Sequence, residues 1–481
     1  MKHYLGFDLG AESGRAMLGA IVDGKLALEE LHRFPNQPVR LPTGFYWDTL
    51  RLFYEMTEGL RIARRERKLD LSGIGIDTWG VDIALLGRDG ALADNPRHYR
   101  DARNNGQMER TFAVVPREEI FAETGLQFMQ INSLFQWHAM AQSGSPALEV
   151  AETLFFMPDL FNYFFTGVKR AELTIASTSQ FYNPVKKRFA AEMLSRLGLQ
   201  ASILPEIVHP GTLLGPSLDG GVPVYAVAGH DTAAAVAAVP VEGGDDWCYI
   251  SSGTWSLMGV ELPEPVVNAR CAELNFTNEI GVEGRVRLLK NIAGLWLWQE
   301  CRKAWALEGS PYNYGEMAQM AAGARPFSAV LHPDAFLEPG DMPAKIAAHC
   351  KANGQAPPAS HAEFCRAILE SLALRYRQVL ESLESLLGRR IRRIHIVGGG
   401  SRNALLNQFV ADATGRVVIA GPSEATVAGN ILVQAMGAGD LQGLEDIRRV
   451  VRDSFAVTTH EPAGVGGWDE AYQRFGRLQL S

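Results

Sequence analysis

Near the amino terminus the apolar residues come in short runs. Residues 4–9, 15–22 and 25–34 read as three strands, joined by the small-residue stretch that begins at Gly10 and then by Asp23-Gly24, a pair that favours a two-residue hairpin. Two successive hairpins predict an antiparallel sheet edge. A helical pattern follows from Asp48, a good N-cap residue, with Leu50, Phe53, Tyr54 and Leu60 broadly on one side. Ile74-Gly75-Ile76 and residues 81–86 then read as strands, the second closed by Arg88-Asp89-Gly90.

The second half repeats this order less cleanly. Apolar positions Phe364, Ile368, Leu372, Tyr376, Val379, Leu383 and Leu386 recur every three or four residues and predict a long helix over about 362–387, with Gly388 placed as a C-cap glycine. Ile394-His395-Ile396-Val397 runs as a strand into Gly398-Gly399-Gly400 and then a helical stretch over 403–413, a junction of the kind that contacts a ligand or packs tightly. Pro, Gly and acidic residues interrupt the apolar pattern at 240–246, which sets the domains at 1–240 and 241–481. The tail from about Asp453 reads as an irregular extension over the second domain.

One feature occurs in both halves. Phe7-Asp8-Leu9-Gly10-Ala11-Glu12-Ser13-Gly14-Arg15 and Ile250-Ser251-Ser252-Gly253-Thr254-Trp255-Ser256 each follow an apolar strand, turn through small residues and leave on a second apolar strand. Such turns let backbone N–H groups approach an anion. The duplication predicts two like α/β domains around a nucleotide.

A chain of 481 residues is long enough for two cores of roughly 240 residues each. A formal charge of −8 opposes attraction to phosphate backbones, so nucleic acid is not an expected partner. The basic run Arg61–Lys68 ends a helical pattern, where cations suit the helix dipole. Cys248, Cys271, Cys301, Cys350 and Cys365 show no CxxC or metal spacing and are expected as reduced thiols. No uncharged apolar stretch of about 18 residues and no leader pattern is present, so no membrane association is expected and the cytoplasm is the expected location. Monomer and homodimer both remain open.

The chemistry-bearing candidates sit at predicted strand ends. Asp231, in Gly229-His230-Asp231-Thr232, follows the strand Val224–Val227 and precedes an Ala-rich helix. In a cleft it would accept a hydroxyl proton during phosphoryl transfer, and an aspartate of ordinary pKa is already ionised at neutral pH. Equally, it would cap the helix, with His230 a core residue. Asp8 would hold hydrated Mg²⁺ or fix its hairpin. Trp79 and Gly80 offer an aromatic face and a bare backbone suited to a sugar, or a buried core indole. Tyr99-Arg100-Asp101-Ala102-Arg103 would recognise hydroxyls or form a surface ion-pair cluster. Neither the dinucleotide fingerprint nor the P-loop pattern occurs.

Six segments in order, GIDTWGVD (75–82), YRDAR (99–103), GHDT (229–232), ISSGTWSLMGVE (250–261), LLKNIAGLWLWQE (288–300) and IVGGGSRNALLNQ (396–408), resemble the FGGY family of carbohydrate kinases, most closely its rhamnulokinases. The likeness spans nearly the whole chain. It implies two ribonuclease-H-like domains of the actin and sugar-kinase superfamily, with MgATP and a ketose in the interdomain cleft. It also implies ATP-dependent phosphorylation of L-rhamnulose at O1, with Asp231 as catalytic base. Gly80, His230, Asp231, Thr232 and Asn291 match sugar-contacting positions, and Trp79 is expected to line the same pocket. Ala11, Glu12, Ser13, Gly14, Arg15, Thr254, Gln299, Gly399 and Gly400 match nucleotide contacts, and Asp8 matches the organiser of Mg²⁺. Glu12 departs from the Ser or Thr common at its position, so only its backbone role carries over. A kinase of L-fuculose, D-xylulose or D-ribulose is the first alternative, and a non-catalytic actin-like nucleotide switch the second.

Overall fold

The computed structural model describes residues 2–479. The chain divides into two compact units: Met1–Pro240 with Glu261–Leu288 and Ala425–Ser454, and Val241–Val260 with Leu289–Glu424 and Phe455–Ser481.

In the first unit the opening strands are β1 (Lys2–Leu9), β2 (Ser13–Val22) and β3 (Lys25–Pro35), paired antiparallel in succession. Asp23 and Gly24 both take positive φ, 50° and 76°, which gives the hairpin the twist its strands require. Strand β4 (Leu71–Thr78) joins β1 in parallel, and β5 (Thr212–Pro216) and β6 (Pro223–Ala226) complete a six-stranded sheet ordered β5-β6-β4-β1-β2-β3.

The period of two decides what each face of β1 meets. Leu5, Phe7 and Leu9 join Leu52, Met56 and Leu60 of the helix Thr49–Arg61 in one buried cluster. Gly6, on the other face, lies beneath the helix Ala425–Gly437: a Cβ there would meet the Ile431 side chain at 3.1 Å, and one at Gly19 would meet it at 2.5 Å. The sheet is thus covered on both sides. Asp48 caps the helix Thr49–Arg61, but the buried side is Leu52, Glu55, Met56, Gly59 and Leu60, while Leu50 and Tyr54 are 62% and 54% exposed. The expected face was rotated because Glu55 reads as a surface residue. It is buried here against His32 and Arg51.

In the second unit β7 (Trp247–Ser252) pairs antiparallel with β8 (Trp255–Leu262) and parallel with β9 (Arg393–Val397); β10 (Val417–Ala420) and β11 (Thr458–His460) follow at the edge. The long helix spans His361–Leu387, capped by Ser360 and ended by Gly388 at φ 65°. Its middle turns are buried on every side, including Glu370 and Arg375. The tail is more regular than its composition suggests, since it supplies β11 and the helix Trp468–Phe475.

Gly429 is where the helix Ala425–Gly437 meets the helix Asp231–Ala237: a Cβ would lie 1.9 Å from the Ala234 carbonyl oxygen. Gly429→Ala is therefore expected to cost about 1–3 kcal/mol by overpacking. Thermal unfolding of the purified variant measures this, and an unchanged midpoint would mean the helices separate without penalty.

Candidate active site

Parallel pairing puts Asp8 of β1 opposite Asp77 of β4, so their carboxyl groups lie on one face at the carboxyl ends of adjacent strands. Ligand sites of α/β sheets favour such ends. Beside them the Thr78 N–H donates to the Gly229 carbonyl at 2.9 Å, which seats the Gly229–Thr232 segment. Asp8 faces its cross-strand partner Arg15, whose guanidinium pairs with it. Asp77 is wholly buried. One of its oxygens accepts from Asn430 Nδ2 at 2.6 Å, and the other has no partner among the described residues. Burial first, then the negative Asp8 and Asp231, push its pKa well above the carboxylate range.

Asp231 is the first residue of the helix Asp231–Ala237, and the N-cap position belongs to His230. The Asp231 Oδ1 accepts from the Thr232 N–H at 2.6 Å and lies 3.2 Å from Thr232 Oγ1, while the side chain stays about one-third exposed, at 33%. Its pKa is raised, by burial above all and then by Asp8, with His230 opposing. An ordinary aspartate pKa is thus not what the surroundings give.

The first small-residue turn is held from its carbonyl side. Gly10 N–H donates to Ser13 O, and Asn36, just past β3, donates its N–H to Glu12 O and its Nδ2 to Gly10 O. The Glu12 side chain is exposed. Gly14 is glycine for a packing reason, since a Cβ there would lie 2.3 Å from the Phe34 ring.

Trp79 is 6% exposed. Its ring lies 4.1 Å from that of Trp47, which in turn stacks on His98. Both indole N–H groups donate to Asp82, which also accepts from Gln136. Trp79 is thus largely a core residue, next to Gly80, where a Cβ would come within 3.3 Å of His230 Nε2. On its other side His230 Nδ1 meets Arg287 Nη2 and Glu279 Oε2, each at 3.3 Å. Behind the segment, buried Glu172 accepts from the N–H groups of Thr174, Ile175 and Gly229, and burial lifts its pKa to about 7. Tyr99 is buried and Asp101 caps the short turn Ala102–Asn104, so this stretch forms part of the wall's support rather than a surface cluster.

The second unit assembles the other candidates. Gly253 N–H returns to Trp255 O, and the carbonyls of Gly253 and Thr254 accept from Leu295, Gly294 and Trp296. The turn therefore docks at the start of the helix Trp296–Leu307, which carries Gln299; its buried Oε1 has no partner among the described residues. Gly400 lies against β7, where a Cβ would meet Ser252 Oγ at 2.0 Å, while a Cβ at Gly399 would meet open space. Asn291 falls in this unit, on the strand Val286–Ala293, whereas Trp79, Gly80, His230, Asp231 and Thr232 belong to the first. Sequence reasoning missed Asn36, Asp77, Glu172, Glu279 and Arg287. Asp77 lay within a quoted motif; the others carry no local signal. Among the described residues, no three His, Cys, Asp or Glu side chains are grouped to hold a metal ion, and no helix is long and apolar enough to cross a membrane.

Residues 3–237 match the N-terminal domain, and residues 248–438 the C-terminal domain, of the FGGY family of carbohydrate kinases. Rhamnulokinase of Bacteroides thetaiotaomicron is 44% identical over 484 residues, covering 98% of this chain and 99% of that protein. Rhamnulokinase of Oceanobacillus iheyensis is 37% identical, covering 96% and 99%. Among solved structures, ligand-bound xylulose kinase from Lactobacillus acidophilus superposes with a TM-score of 0.79 at 15% identity, covering 99% and 96%. Plasmodium falciparum glycerol kinase with ADP gives 0.76 at 16%, covering 98% and 96%.

The Asp82 carboxyl that anchors both indoles has its pKa raised to about 6, by burial against the opposing hydrogen bonds. A carboxyl raised in the folded state favours folding below its unfolded pKa near 4, and that contribution is lost as pH rises through about 6. Asp82→Asn, neutral throughout, should gain stability relative to the parent between pH 4 and 6, on the order of 3 kcal/mol. Unfolding midpoints across that range test it; parallel curves for the two proteins would contradict it.

Proposed function

The chain belongs to the FGGY family of carbohydrate kinases, and within that family we propose that it transfers the γ-phosphoryl group of ATP to O1 of L-rhamnulose. The reading rests chiefly on the near-full-length similarity to proteins named rhamnulokinase. The product would be L-rhamnulose 1-phosphate, in L-rhamnose catabolism, and the cytoplasm is the location we assign. As an ATP-dependent sugar kinase, the enzyme needs only positioning and charge stabilisation for this chemistry, since phosphoryl transfer involves little covalent work by the protein.

In this reading the first domain, 1–240, supplies most of the sugar contacts and the second, 241–481, most of the nucleotide contacts. Gly80, His230, Thr232 and Asn291 hold the ketose, with Trp79 backing the wall. The backbone from Ala11 to Arg15, together with Thr254, Gln299, Gly399 and Gly400, holds the nucleotide. Asp231 takes the O1 proton as O1 attacks the γ-phosphorus in line and the bridging oxygen leaves with ADP. A raised pKa makes Asp231 a stronger base than a solvent-exposed aspartate. Asp8 offers a single carboxylate at a strand end, which suits a Mg²⁺ ion that keeps most of its waters. Bound there with ATP, the ion would neutralise charge on the β- and γ-phosphate oxygens.

Asp231→Asn should lower kcat by roughly two to four powers of ten while leaving ATP affinity nearly intact; a variant keeping more than about a third of the rate would remove Asp231 from the base role. The substrate is tested by ketose-dependent ADP release, with kcat/KM compared for L-rhamnulose, L-fuculose, D-xylulose, D-ribulose and glycerol. L-rhamnulose is expected to lead. A different leader moves the substrate and keeps the chemistry, and sugar-independent ATP binding without phosphorylated product would favour the nucleotide switch.

A further inference from the structure

We propose that Arg287 is a positioning residue for the catalytic carboxylate, acting through His230: it fixes the imidazole as its Nε2–H tautomer, which helps load one oxygen of Asp231 with donors and leaves the other to receive the proton. This rests on the reading of Asp231 as the base of a ketose kinase.

Arg287 is wholly buried. Its Nη2 donates to His230 Nδ1 at 3.3 Å, to Glu279 Oε2 at 3.1 Å and to the Ile280 carbonyl at 3.3 Å. A guanidinium has only donors and stays protonated at any relevant pH. We therefore assign the lone pair to the imidazole nitrogen that Arg287 faces and the ring proton to Nε2. Glu279 Oε2 is also 3.3 Å from Nδ1 and is the acceptor that the opposite tautomer would use, while Arg287 at 3.1 Å competes for that oxygen.

His230 Nε2 lies 3.5 Å from Asp231 Oδ1. That oxygen also faces the Thr232 N–H at 2.6 Å and Thr232 Oγ1 at 3.2 Å. Two hydrogen bonds thus reach Oδ1, and Nε2 stands 3.5 Å away, placed to add a third. Oδ2 has no hydrogen-bond partner among the described residues, and the side chain is a third exposed. Long catalytic hydrogen bonds in a ligand-free site tighten when substrate binds. The transfer then balances simply. The O1–H proton passes to Oδ2, O1 bonds to the γ-phosphorus, the bond from phosphorus to the bridging oxygen breaks with its electron pair leaving on ADP, and Asp231 returns the proton to solvent.

Two measurements test this on the full-length enzyme. The first is the tautomer of His230 in ¹⁵N-histidine-labelled protein, read from long-range ¹H–¹⁵N couplings and assigned by the signals lost in His230→Asn. Protonated Nε2 with bare Nδ1 is expected, and a proton on Nδ1 would overturn the proposal whether or not the protein is active. The second is kinetic. Arg287→Met should lower kcat on the preferred ketose on the order of 10–100-fold, a range typical of partners that orient a functional side chain from behind, with the ATP KM unchanged. Arg287→Lys, which keeps a donor, should recover part of that loss.

Added to His230→Ala, Arg287→Met should cost nothing further, because its effect runs through the imidazole. Multiplicative losses would refute the coupling. Since Arg287→Met strands a buried carboxylate, the same cycle is run with Arg287→Met/Glu279→Gln, which removes both charges. A wild-type enzyme inactive on every ketose would defeat the kinase reading, and the tautomer would still decide the geometry proposed here.

Discussion

The first unit depends on a helix pressed unusually close to its sheet. Residues 425–437 lie on Gly6, Gly19 and Gly75, where any side chain would collide with Ile431 or Asn430. That close seating brings the Asn430 amide within reach of Asp77, of the Phe7 and Gly75 carbonyls and of Gln434. A carboxyl buried at the end of a parallel strand would otherwise be expensive to desolvate. With one oxygen held by Asn430, and negative charge nearby from Asp8 and Asp231, the neutral form of Asp77 is favoured. The parallel register then fixes Asp8 beside it, and Arg15 follows from antiparallel pairing one strand over. The carboxyl arrangement at this edge is thus set by backbone geometry before any ligand is considered.

The two small-residue turns solve a similar problem by different means. In the first unit the turn is tied by Asn36, which satisfies two of its carbonyls from the end of β3. In the second the turn's carbonyls are taken by the N–H groups of Gly294, Leu295 and Trp296 at the start of a helix. Both arrangements occupy backbone acceptors, which suits turns that meet a polyanion, since bare carbonyls would repel it.

Much of this was legible in the chain. Hairpin β1–β2–β3, the cap at Asp48, the long helix with its Gly388 terminus and the strand–glycine junction at Gly398 all followed from local rules, because hydrogen bonding over a few residues decides them. The buried face of the helix Thr49–Arg61 did not, because Glu55 is buried against a partner, His32, supplied by β3. Nor did the return of residues 425–454 to the first unit, which depends on long-range packing onto glycines. The support of His230 was hidden for the same reason: Glu279 and Arg287 meet it, and Glu172 holds the neighbouring Gly229, only through the fold, from distant points in the sequence.

That support bears on what kind of protein this is. Wholly burying an Arg–Glu pair costs several kcal/mol per ion in desolvation, and an apolar pair of similar volume often serves stability as well. Here the charges touch His230, whose Nε2 lies 3.5 Å from the part-exposed carboxylate of Asp231. The cost is sensible if the orientation of that carboxylate matters, as it does when a hydroxyl must lose its proton along one direction during attack. The buried pair thus fits the proposed role of Asp231, whose carboxylate it would orient through His230.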